Sequence, residues 1–391
     1  MSEYQFYEFR ALDRPLTVEQ MEELRSSSSR AEITPISFNN FYNWGSFKGD
    51  PHMWMEKYFD AFLYMSNWGS RWLMFRIPIR LLDPDTVSGY CTDETLDYHT
   101  KDDLLILSFS AEEVDRDDWV EGEGWLERLI QLRSDLMLGD HRCLYLAWLR
   151  AVQEGVVDEE CEEPPIPPGL GKLNTQLRTF VEFLDIEPDL IDAAAGESEQ
   201  RVEWTLSKKD IRKWVTKLPL KEKEEALTQL LSGESSHVTA ELKQRAMHEI
   251  LAQKRSPKAS RRRRPRNSGR LMNRAESIAE ERQKQEAERK AKELEQQERA
   301  KAEAREGRLQ SLAGSEAQLW IKVADLISCR QPKEYDEAVC LLQDLRDLAI
   351  RADASSEFLR QMASLYFKHK SKPSLVARLR QAMLLPPDEA R

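Results

Sequence analysis

The chain has 391 residues, 40% of them hydrophobic and 32% charged, and a formal net charge of −11. That length allows two or three domains, and five scattered cysteines (Cys91, Cys143, Cys161, Cys329, Cys340) exclude a disulfide framework. The acidic balance excludes a nucleic-acid coat over the whole surface, because residues 254–274 carry ten basic residues and no acid, leaving the rest near −21.

In chain order, the aromatic density of 4–11 (Tyr4, Phe6, Phe9) predicts a strand. Thr17 caps an expected helix over 17–27, and Ala31 to Phe38 fit a second strand. Asp50-Pro51 pairs an N-cap acid with a proline at the first helical position. Trp54, Tyr58, Phe62 and Met65 then recur every three or four residues and predict one helix to about residue 65. Strands are expected at Trp72–Phe75 and Leu104–Phe109. This order gives an α+β N-terminal domain over 1–120. From Gly124 the period is helical, and 121–253 reads as a helical region packed on or following that domain. In it, Ile211, Trp214, Val215 and Leu218 are expected to point inward, with Leu227, Leu230 and Leu231 continuing the core.

Residues 254–274 have no periodic apolar face and read as a basic, exposed, flexible linker. From 275 to 312 the chain is nearly all Glu, Lys, Arg, Gln and Ala, with acid-to-base pairs four residues apart such as Glu286/Lys290. From Ala275 to about Arg308 its large apolar residues, Ile278 and Leu294, make no heptad seam, so a long charged single helix of about 50 Å is expected as a spacer. Residues 313–391 regain apolar spacing and predict a small C-terminal helical bundle. The fold class expected is thus α+β followed by mostly α.

The tail pattern Tyr335, Ala338-Val339, Leu341-Leu342, Asp344-Leu345, Asp347-Leu348, Phe358, Lys372-Pro373 and Leu375 resembles the helical C-terminal region of bacterial SWIM zinc-finger proteins. That family's close cysteine pair followed by Cys-x-His has no match here, so zinc is not carried over. The front half resembles a set of uncharacterised bacterial proteins through Phe9-Arg10-Ala11, Asp13-Arg14-Pro15-Leu16, Trp44-Gly45, Phe47-Lys48-Gly49-Asp50 and Tyr58-Phe59-Asp60-Ala61, and that resemblance implies no activity.

For chemistry, the material is thin. The six histidines are isolated, no Gly-x-Ser-x-Gly occurs, and Gly45–Asp50 lacks the Gly-Lys-Ser/Thr ending of a phosphate loop. No catalytic, metal-binding or cofactor-binding residue is assigned, and no cofactor is expected. Lys254, Arg255, Lys258, Arg261, Arg262, Arg263, Arg264 and Arg266 are candidate polyanion contacts, because closely spaced cations neutralise phosphates. The same residues also suit a linker that docks on the chain's own acidic surface. Trp119 and Trp125, set among acids, are read as an exposed partner surface.

The sequence therefore favours a non-enzymatic interaction or scaffold protein with an unidentified protein partner, joining two modules through the basic hinge and helical spacer. One alternative is an accessory factor that binds nucleic acid non-specifically through 254–274. The other is an enzyme with a pocket near Trp44–Trp72. The start has no secretory signal and the apolar stretches stop well short of the about 18 residues a span needs, so no membrane contact and a cytoplasmic location are expected.

Overall fold

The structure, a computed structural model, describes residues 4–45, 47–112, 114, 121–201, 207–232, 237–254 and 266–385. Two compact units divide it, Met1–Gln283 and Lys284–Arg391.

In the first unit the chain runs β1 (Gln5–Arg10), α1 (Val18–Ser27), β2 (Glu32–Thr34), β3 (Ser37–Tyr42), α2 (Pro51–Lys57), β4 (Ala61–Ser66), β5 (Arg71–Pro78), α3 (Pro84–Ser88), β6 (Leu96–Lys101) and β7 (Leu104–Ala111). The strands form one seven-stranded antiparallel sheet, ordered β2-β3-β1-β4-β5-β7-β6. Side chains alternate across it. Phe6, Leu63, Leu73, Phe75, Leu107 and Phe109 face one way, into a core built with the helices that follow the sheet. Tyr7, Phe9, Phe38, Phe62, Met74 and Ile106 face the other way, against Leu24 of α1 and Trp54 and Met55 of α2. Thr17 caps α1 through a capping box with Gln20, and Asp50 accepts the amides of His52 and Met53 ahead of Pro51.

One expectation fails here. The helix begun at Pro51 ends at Lys57, and the residues expected to prolong it, Phe62 and Met65, lie in β4. Asp60 redirects the chain: its carboxylate accepts the amides of Leu12 and Asp13 and both the Nε and an NH2 nitrogen of Arg76. β4 is central and buried on both faces, so its apolar run carries no alternation to distinguish it from a helix. The single strand expected over Ala31–Phe38 is a tight hairpin of β2 and β3. The polar edge strand β6 had no apolar signal.

After the sheet come α4 (Trp125–Leu129), α5 (Gln131–Met137), α6 (Arg142–Gln153), α7 (Thr175–Leu184), α8 (Pro188–Ala195), α9 (Lys208–Lys217), α10 (Leu220–Ser232), α11 (Val238–Lys254) and α12 (Ser268–Leu312). Helix α6 is buried along nearly its whole length, as the centre of a helical layer must be.

The hinge expected over 254–274 is corrected at its C-terminal end. Asn267 bridges Glu162, the amide of Ser268 donates to the carbonyl of Cys161 at 3.0 Å, and α12 has already begun at Ser268. Leu271 and Ala275 are buried in the first unit's core, and Arg282 pairs with Asp189 at 2.7 Å. From 283 to 304 every residue of α12 is exposed.

The second unit holds the end of α12 with α13 (Glu316–Ser328), α14 (Pro332–Arg351), α15 (Ser355–His369) and α16 (Pro373–Gln381). Leu309, Val323, Ile327, Leu342, Leu345, Met362 and Leu375 share one core. The chain is thus an α+β domain followed by helices, with a long charged helix and a small helical bundle.

Candidate functional site

Of the expected polyanion contacts, Arg255, Lys258, Arg261, Arg262, Arg263 and Arg264 lie outside the described residues, and Lys254 ends α11. Arg266 is described, and it faces inward. Its Nε and one NH2 nitrogen each donate to a Glu163 carboxylate oxygen at 2.7 Å, and its other nitrogen donates to the Ala193 carbonyl at 3.1 Å. The same carboxylate accepts from Tyr145, whose phenol burial and Glu163 push well above its ordinary pKa. This bidentate fork commits Arg266 to its own fold rather than to a phosphate.

Trp119 lies outside the described residues, and Trp125 contradicts its expected exposure. It is 4% exposed, packed 6.0 Å from the Phe183 ring, with the guanidinium of Arg128 4.3 Å from its ring centre. The acids around it in sequence hid its place on the first turn of α4, whose inner face meets the sheet.

Three buried ionic groups serve the scaffold. Arg133 of α5 grips Asp13 with two bonds of 3.0 and 2.6 Å and donates to the Arg76 carbonyl, while His237 reaches Asp13 at 2.9 Å. Despite burial, His237 and Arg133 hold the Asp13 carboxyl well below the usual carboxylate range. Asp140 is held down in the same way by Arg142 and Arg201. Asp60 with Arg76 completes the set. The arginine donors of these groups end on carboxylates and backbone carbonyls. Burial pushes the Cys91 thiol up to about 12 and Cys143 well above its ordinary value, so neither supplies a thiolate near neutral pH. Among the described residues, no group of three or more His, Cys, Asp or Glu is placed to hold a metal ion, and no helix is long and apolar enough to cross a membrane.

What the register does assemble is an aromatic strip across one face of the sheet, continuous with the core under α1 and α2 and joined by His52 of α2. Phe47 stacks on Tyr7 at 4.7 Å, and Tyr7 meets Tyr64, its direct partner in the pairing of β1 with β4, also at 4.7 Å. Tyr64 stands opposite Trp72, whose Nε1 donates to Ser108 at 2.6 Å. His52 lies 5.1 Å from the Trp72 ring and 5.2 Å from that of His99, and His99 Nε2 is 3.2 Å from a Glu56 carboxylate oxygen. Burial, reinforced by His99, holds His52 below the ordinary imidazole value. Gly49 lets this loop close: a Cβ there would sit 2.6 Å from Phe47 and 2.8 Å from Trp54. The Trp44–Trp72 segment supplies four of its six rings, Phe47, His52, Tyr64 and Trp72. The rest, Tyr7 and His99, comes from strands far along the chain, visible only through pairing. Half-buried rings of this kind stack on flat or apolar groups.

Two apolar surfaces face solvent. In the first unit Leu220, Leu227 and Leu231 form a stripe along α10 at spacings of seven and four, with Leu230 beside it. All four are exposed, Leu231 at 87%, which corrects the expectation that Leu227, Leu230 and Leu231 continue the core. Ile211 and Val215 of α9 are exposed as well. In the second unit a groove of about 230 Å³ is lined by Ile350, Phe358, Leu359, Met383, Leu384 and Leu385, with Arg346 at its rim.

No family model, curated protein or solved structure matches the chain.

Proposed function

We propose that this protein is a non-enzymatic interaction protein whose two units each bind a partner. The observation that carries the reading is the leucine stripe on α10. Soluble monomers seldom leave contiguous large apolar side chains in water unless a partner covers them. Leu220, Leu227, Leu230 and Leu231 are such a set, borne on a helix whose remaining residues are mainly polar and charged. The second unit offers a separate apolar groove on its own core, with Ile350 and Met383 prominent at its rim. Helix-in-groove recognition uses surfaces of both kinds, through anchors at helical spacing.

The test is capture from native lysate by the full chain, with and without nuclease. Three baits are compared: wild type, Leu227→Asp/Leu231→Asp, and Ile350→Asp/Leu359→Asp. These side chains are outside the cores, so the variants keep the fold. The reading expects each double variant to lose a different subset of nuclease-resistant partners. Identical partner sets for all three baits would refute it. Loss of every partner on nuclease treatment would instead favour nucleic acid held through the 254–274 segment.

A further inference from the structure

We propose that the β6 edge of the sheet is a self-association surface whose occupant is a second copy of this chain, paired antiparallel about a two-fold axis through His99. The sheet ends in two edges. That of β2 is three residues long, too short to template much pairing, whereas β6 has six residues, no proline and no bulge.

Geometry decides which backbone groups of β6 are free. The two-residue turn Asp102–Asp103 makes Lys101 and Leu104 a directly opposed pair, and residues with the parity of Lys101 (Asp97 and His99) direct their backbone groups into the sheet toward β7. Tyr98 and Thr100 therefore direct theirs outward. Two contacts agree with this. The Tyr98 amide donates to the Asp97 side chain at 2.7 Å, and the Leu96 carbonyl, of the same parity, accepts from Thr92 rather than from β7. Among the described residues no turn or loop backbone group bonds the Thr100 amide or the Tyr98 and Thr100 carbonyls.

Antiparallel self-pairing about His99 satisfies this edge in one register. Tyr98 would oppose Thr100 of the second copy, exchanging two backbone hydrogen bonds, and symmetry repeats the pair. The local Tyr98–Asp97 bond would be exchanged for one of these. Asp97, freed, would oppose Lys101 of the second copy in a non-hydrogen-bonded pair, the arrangement that brings facing side chains closest, with Cα atoms about 4.5 Å apart. Both side chains are exposed in one copy, and neither has an ion pair among the described residues. Moving the axis by two residues would oppose Asp97 to Asp97 or Lys101 to Lys101, whereas the His99 axis pairs opposite charges on both sides. The two copies of His99, each at the end of its own aromatic strip, would meet at the axis, so the strip would run unbroken from one copy to the next.

Sedimentation equilibrium on the full chain tests the proposal. Wild type is expected to form a dimer. Thr100→Pro removes an outward amide without touching the β6–β7 ladder, and should leave a monomer with an unchanged near-ultraviolet spectrum. Asp97→Lys and Lys101→Asp, each of which creates two like-charge pairs, should weaken the dimer about tenfold or more, and the double exchange should restore it to within about threefold. The charge exchange decides the matter even if the proline variant unfolds. A wild-type chain that stays monomeric to about 100 µM, a level at which weak specific pairs associate, overturns the proposal. So does a dimer indifferent to the single charge variants, or one that the double exchange fails to restore.

Discussion

Both units bury a single carboxylate completely and answer it with two arginines, yet they do so in different surroundings. In the first unit Asp60 meets Arg76, itself nearly buried, and Arg133 stands 3.7 Å away. Arg76 also donates to the carbonyls of Met55 and Glu56, tying off the end of α2. In the second unit Asp344 meets Arg305 and Arg308, whose side chains are 37% and 47% exposed. Water therefore solvates the cations in one case and is excluded in the other. Removing one partner from a buried charge cluster that excludes water costs more than removing one from a cluster whose cations water can reach. The first cluster sets the topology, because it turns α2 into β4. The second fastens α12 onto α14.

Removing one arginine from each cluster should separate the two surroundings most strongly. Arg76→Ala should destabilise the first unit by about 3–5 kcal/mol, whereas Arg308→Ala, with Arg305 and water left to serve Asp344, should cost about 1 kcal/mol. Denaturant melts can separate the units, since Trp320 alone of the ten tryptophans belongs to the second. Equal losses would mean that the two clusters see the same solvent.

Gly49→Ala should cost the first unit about 1–3 kcal/mol by overpacking Phe47 and Trp54, and should shift tryptophan emission as the strip loosens. Ala at Gly307, where a Cβ meets open space, is the matched control and should be neutral or slightly stabilising.

Acid should act on the first unit before the second. Burial depresses His141 and His52 below the ordinary imidazole value of 6.5. Their unfolded forms take up protons first, so the stability present above that pH is lost as pH falls through the folded values. His369 in the second unit is depressed in the same direction but is less buried, and its share should be smaller. The first unit's melting midpoint should therefore drop between about pH 7 and pH 5 while the second's moves less. The smallest effect expected is Thr17→Ala, about 1 kcal/mol from the lost cap of α1, visible as a modest midpoint shift.

The difference between the units also explains what could be read from sequence. In the second unit helices pack on helices, and apolar spacing translates directly into burial: Tyr335, Ala338, Leu341, Leu342, Leu345 and Leu348 all point inward. In the first unit the same reading ran a helix through Phe62 and Met65, since a strand covered on both faces has no polar side to announce it. Leu227 and Leu231 had core-like spacing and lie outside the core; local period reports a face, not what covers it. The strip was partly legible, because Trp72 and His52 are close in the chain whereas Tyr7 and His99 arrive through β-pairing.

Limited trypsin digestion of the full chain under native conditions tests the two-unit account most directly. Residues 283–304 are exposed throughout and contain Lys284, Arg289, Lys290, Lys292, Arg299 and Lys301, with few tertiary contacts to oppose local opening. The account predicts early cleavage there and two persistent fragments, one carrying the sheet and one carrying α13–α16. A chain that resists cleavage across that stretch, or a fragment from either side that vanishes as soon as it is released, would contradict it.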